Sequence, residues 1–176
     1  MSVIRNTLLL AFICSICCVS AQEYVTIPWT KERKLSWKDF RGKPKRGSKA
    51  AAITASGISY NFSSLARGNE VEVDFVINTY FYPDQSWYNA AFCDDIILGH
   101  EQLHFDISEL FARKLQKRLD ELTFSLNIKK EVRAIYKDLL KELNDYQERY
   151  DLETDFSRNI EKQFDWNKKI NVILAQ

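Results

Sequence analysis

His100-Glu101-Gln102-Leu103-His104 decides how the rest of this 176-residue chain is read. It holds the only two histidines in the sequence, four positions apart. A helix turns about 100° per residue, so side chains at i and i+4 stand one above the other on a single face. Two imidazoles so placed can grip one metal ion, with Glu101 one position along and able to lean toward a water at that ion. The spacing is that of a zinc metallohydrolase, with His100 and His104 as ligands and Glu101 as general base. The bland alternative is a pair of helix histidines that pack or hydrogen-bond and hold nothing.

The flanking residues favour the metal. From about Asp94 to Leu122 the apolar positions follow a helical period, with Ile96, Leu103, Ile107, Leu110, Phe111, Leu115 and Leu122 in one broad stripe. On a wheel started at Ile96, His100 falls at about 40° and His104 at about 80°, within the stripe, while Glu101 falls near 140°, at its border. Buried imidazoles want partners for their ring nitrogens, and a metal supplies one for each.

Downstream, Ile128, Val132, Ile135, Leu139, Leu143, Tyr146 and Tyr150 mark a second helical track. Continued, it reaches Glu153 and then Phe156, Ile160 and Phe164 or Asn167, which puts a carboxylate on an inward face. A helix break near Asp151 would reset the track and leave Glu153 in solvent. Upstream, Ile58, Tyr60 and Phe62 alternate, Arg67-Gly68-Asn69 supplies a turn, and Val71, Val73, Phe75 and Ile77 alternate again. These predict a long β-hairpin. The strand Val71–Asn78 is a candidate edge for an extended peptide. Trp29, Trp37 and Phe40 read as satellites packing a charged N-terminal arm onto the domain.

The first 21 residues read as an export signal, with Arg5, the apolar run from Leu8 to Ile13, and Val19-Ser20-Ala21 before the cut. The 176 residues less 21 leave 155, enough for one domain, 22–176, with a real core. Removing Arg5 leaves 24 basic and 24 acidic residues, so no field recruits nucleic acid or an anionic membrane. No integral membrane segment is expected in the mature chain, and a monomer is the default. Cys14, Cys17 and Cys18 lie in the signal, so Cys93 has no internal disulfide partner. With both histidines committed elsewhere, Cys93 lacks a base and reads as a structural thiol.

The residues also carry a family resemblance. Leu35-Ser36-Trp37-Lys38-Asp39-Phe40-Arg41-Gly42, Ser86-Trp87, His100 through Ile107, and Tyr150-Asp151-Leu152-Glu153-Thr154 resemble the bacterial secreted proteins grouped as DUF922, described as predicted zinc-dependent proteases. The resemblance spans nearly all of the mature chain. It departs at Phe156, where the family pattern has a histidine. If that histidine is a ligand, the site here is weak, completed by Glu153 alone, or lost; if the glutamate is the ligand, the change is tolerable.

The expected fold is α+β: an antiparallel hairpin or small sheet packed on a long HExxH helix and C-terminal helices, a zincin-like minimal core. The expected function is an exported, periplasmic or extracellular zinc peptidase acting on a peptide or protein substrate. His100, His104 and Glu153 hold Zn2+, Glu101 is the base, and Tyr150 is an oxyanion donor. Asp106 or Asp151 orients a ligand histidine. The rival is a non-catalytic exported binding or scaffold domain with a degenerate metal site.

Overall fold

The computed structural model describes residues 25–68 and 70–176. The expected export signal lies outside the described residues. The elements are β1 (Ile27–Pro28), β2 (Ala52–Ile53), β3 (Ser56–Arg67), β4 (Glu70–Phe81), β5 (Trp87–Tyr88), α1 (Asp95–Asp120), α2 (Ile128–Glu153) and α3 (Ile160–Leu174).

The alternation upstream of the motif becomes the hairpin β3–β4, antiparallel from Ser56↔Phe81 to Arg67↔Glu70. Gly68 takes the left-handed backbone at its turn, φ 66°. The short β1 adds to β4, giving the order β1-β4-β3, and β2 pairs separately with β5. Period two sets which face is wet. Tyr60, Phe62, Val71, Val73, Phe75 and Ile77 pack against the helical core, while Glu72 and Asp74 are exposed.

Asp94 caps α1 by accepting from the Ile97 amide at 2.9 Å. The helix packs against β3 and β4 as well as against α2 and α3. Leu103, Ile107, Leu110, Phe111 and Leu115 are buried, joined by Leu119. Each such side chain stabilises the fold by about 1.5–3 kcal/mol. Ile96, in the first turn, and Leu122, two residues past the end of the helix, are 41% and 49% exposed. The aromatic arm docks as a satellite: Trp37 stacks on Tyr88 at 4.6 Å, and Phe40 is buried against Phe81.

Ile128, Val132, Leu139, Leu143 and Tyr150 line the buried side of α2. The helix does not run on. Asp155, Phe156 and Ser157 all adopt positive φ, at 47°, 52° and 75°. Left-handed backbone costs an L-residue roughly 1–2 kcal/mol. The buried Thr154 anchors the bend, its hydroxyl donating to the Tyr150 carbonyl at 2.7 Å. The Phe156 amide donates to the Asp151 carbonyl at 2.8 Å, and the Asn159 amide to that of Thr154 at 2.8 Å. The helical track is therefore reset between α2 and α3, and Asn159 caps the new helix.

Candidate metal centre

Pairs at i,i+4 from all three helices build the centre. α1 supplies His100 and His104, α2 supplies Gln147 and Asp151, and α3 supplies Gln163 and Asn167. His100 Nε2 and His104 Nε2 lie 3.3 Å apart, and Asp151 Oδ1 lies 3.0 and 2.9 Å from them. Opposite these atoms, His100 Nδ1 faces Gln163 Oε1 at 2.8 Å and His104 Nδ1 faces Gln147 Oε1 at 3.0 Å.

The glutamine orientations are fixed by their other ends. Gln147 Nε2 donates to Ser108 Oγ and the His104 carbonyl, and Gln163 Nε2 donates to Asn167 Oδ1. An amide oxygen only accepts, so each glutamine favours the tautomer with the proton on Nδ1, the one that leaves a bare Nε2 facing inward. The two Nε2 lone pairs and the Asp151 carboxylate oxygen then converge with no hydrogen between them. Only a cation relieves that arrangement. Tetrahedral zinc with ligands at 2.0–2.1 Å puts its donors about 3.3 Å apart, close to the spacings present. The donor set fits the ion.

In the metal-free centre a proton on His104 can take that place. Burial works against a charged His104, but its hydrogen bond to Asp151, with the charges of Glu101 and Asp151, outweighs it and raises the imidazole above its ordinary value. Burial also works against a charged Asp151, yet its bonds to His100 and His104 pull the carboxyl below its ordinary range.

A cavity of about 710 Å³ opens over these groups, with His100, Glu101, His104 and Asp151 in its wall. Glu101 is buried at 5% exposure, deeper than its place at the border of the stripe implies. Its Oε2 has no hydrogen-bond partner among the described residues. A buried carboxylate oxygen left unpaired is costly, and the side chain lines the cavity beside the metal ligands, where a carboxylate can take a proton. Phe156 lies in the same wall and brings there a ring that coordinates nothing.

Several residues read from sequence sit elsewhere. The structure brings Asp151, not Glu153, to the two histidines. Glu153 is exposed at the end of α2 and accepts from Trp166 Nε1 at 2.9 Å. The reset after Thr154 frees it from the inward track. Tyr150 is completely buried and outside the cavity wall. Its ring stacks on His100 at 4.5 Å, and its hydroxyl lies 2.8 Å from Gln163 Oε1 and 3.3 Å from the His100 carbonyl. Burial drives its pKa well up. Tyr150 therefore packs the ligand histidine and has no hydroxyl to offer an oxyanion.

Asp106 is no partner of the histidines either. It accepts from Trp29 Nε1 at 2.7 Å and Gln102 Nε2 at 2.8 Å. The strand in the cavity wall is β2, through Ala52 and Ile53, rather than Val71–Asn78. Cys93 donates to the Ala51 carbonyl at 3.3 Å, and burial raises its pKa, as befits a structural thiol.

Two histidines at i,i+4 on one helix, a carboxylate from a later helix and an unengaged Glu101 make this a zincin-type metallopeptidase site. The chain belongs to the family described as bacterial protein of unknown function (DUF922), whose pattern matches residues 29–158. No curated protein and no solved structure matches it.

Proposed function

We propose that the protein is an exported zinc peptidase that hydrolyses peptide bonds of an extended peptide or unfolded protein segment. The observation that carries this is the convergence of His100 Nε2, His104 Nε2 and Asp151 Oδ1 beside the unpartnered Glu101 carboxylate. When bound there, zinc supplies Lewis acidity, polarising a substrate carbonyl and lowering the pKa of water toward neutrality. Glu101 takes the proton of the attacking water and delivers it to the departing amine. Gln147 and Gln163 hold the imidazoles, and Asp151 closes the ligand set.

β2 offers a fitting dock. The Asn89 amide bonds to the Ala51 carbonyl, and Ala52 pairs with Tyr88. In that antiparallel register the N–H and C=O of Ala52 turn away from β5. They form part of an unpaired edge on a strand of the cavity wall, the kind of edge to which extended peptides add. Export rests on the N-terminal Arg5, apolar run and Val19-Ser20-Ala21. Among the described residues no helix is long and apolar enough to cross a membrane.

The rival reading, a binding domain without turnover, draws on Phe156, which cannot donate to an oxyanion. Glu101→Gln separates the two. The enzyme loses peptide cleavage and keeps its zinc; a binding domain shows no cleavage in the unaltered protein to lose.

A further inference from the structure

The family match ends at residue 158, and α3 begins at Ile160. Yet α3 reaches the metal centre. Ile170 and Leu174 are buried in the core, and Arg113 of α1 donates to the Leu174 carbonyl at 3.1 Å. Trp166 packs on Tyr150 with ring centres 5.3 Å apart. These contacts place Gln163, only 5% exposed, with its Oε1 at 2.8 Å from His100 Nδ1.

The amide of Gln163 is held at its far end. Nε2 donates to Asn167 Oδ1 at 3.0 Å, one turn further along α3, and to Tyr150 Oη at 2.6 Å. The Tyr150 hydroxyl can in turn donate to the His100 carbonyl at 3.3 Å. Asn167, Gln163 and Tyr150 thus close a loop of hydrogen bonds on His100, whose ring also lies flat on Tyr150 at an interplanar angle of 21°.

We infer that α3 is a working part of the metal centre, and that Gln163, oriented by Asn167, is the positioning residue that fixes His100 as the Nδ1–H tautomer so that its Nε2 meets the ion. This rests on the zinc reading above. A glutamine sets the tautomer as a carboxylate would, but adds no negative charge beside the ion. Outer partners of this kind typically change metal affinity by about 10–100-fold when removed.

The test combines two readouts on the full mature chain. Nitrogen-15 NMR of the metal-free protein at about pH 9, where free imidazole is neutral, reports the tautomer of His100. Chelator competition reports zinc affinity. The unaltered protein shows His100 protonated at Nδ1. Gln163→Leu shifts it toward Nε2–H and weakens zinc about 10–100-fold, while Gln163→Glu restores both. Asn167→Ala, which leaves Gln163 in place but unsteers its amide, moves both readouts the same way by less, and it carries the test if Gln163→Leu does not fold. Unchanged tautomer and affinity in the folded variants overturn the inference and leave the zinc reading standing. An Nδ1–H His100 that depends on Gln163 in a protein that binds no zinc supports the clamp and removes the zinc reading.

Discussion

Two carboxylates, Asp106 buried on α1 and Asp151 half-buried on α2, differ in what surrounds them. Asp106 is 2% exposed and meets only donors: the Trp29 indole, the Gln102 amide and, at 3.6 Å, the Lys34 ammonium. Charge and hydrogen bonds are balanced within the protein, so the group is complete. Asp151 meets two ring nitrogens that the glutamines behind the rings steer toward bare Nε2 atoms. It is complete only when a cation arrives. One carboxylate fastens the N-terminal arm to the helix, and the other waits on a ligand.

Exchanging the two carboxylates sharpens that contrast most. Asp151→Ala should weaken zinc by at least about two orders of magnitude, beyond the 10–100-fold attributable to the outer partners of a ligand, and should also remove the stabilisation that the depressed carboxyl gives the metal-free fold. Asp106→Ala should leave zinc unchanged but destabilise by about 2–4 kcal/mol, since hydrogen bonds to charged groups are worth about 1.5–3 kcal/mol each and donors are left unpaired. Chelator competition and urea unfolding on both variants give four numbers. Equal effects of the two substitutions on zinc would erase the distinction.

Next in size is Glu101→Gln. General-base removal costs about 10²–10⁴-fold in rate, so cleavage of a peptide substrate should fall by that factor with zinc content unchanged. Retained cleavage would remove Glu101 from the chemistry.

A pH series separates the metal-free and loaded states. His104, raised above 6.5, stabilises the metal-free fold fully below 6.5 and loses that contribution as pH climbs through its folded value. Asp151, depressed below 3.8, stabilises above 3.8 and loses its share as pH falls through its folded value. In chelator, these two groups therefore favour the fold most between about pH 4 and 6.5 and less on either side. The increment from zinc runs the other way, growing with pH because protons compete for the ligands. Thermal unfolding with and without zinc checks both; a zinc increment that shrinks from pH 6 to 8 would contradict the ligand set.

The smallest effect concerns the bend that follows Asp151. Ser157→Gly removes the Cβ from a left-handed residue at φ 75°. It should stabilise by up to about 1 kcal/mol, set by the 1–2 kcal/mol strain less the backbone freedom glycine adds to the unfolded chain. A destabilised variant would mean that the Ser157 side chain, 7% exposed, matters more than the strain.

Much of this was legible in the chain. Periodicity alone places the hairpin and the long α1, and the histidine spacing finds two ligands and the base. The third ligand was hidden by the helix end. A track carried through Tyr150 points at Glu153, but the three left-handed residues after Thr154 end α2, and no glycine or proline announces them. The signal that finds Asp151 is a polar pair, Gln147 and Asp151, at the same i,i+4 spacing as the histidines it faces. Gln163 lies beyond the bend, where the phase of the helix cannot be carried forward from α2. Nor does sequence separate Asp106 from Asp151, because the difference lies in which partners donate, and those come from distant segments.

The most direct measurement is zinc per chain, by elemental analysis after dialysis against trace zinc, on the unaltered protein and on Asp151→Ala and Glu153→Ala. One ion in the unaltered protein and in Glu153→Ala, with none in Asp151→Ala, is the predicted result. An unaltered chain that retains no zinc, or zinc that survives Asp151→Ala and disappears with Glu153→Ala, would contradict it.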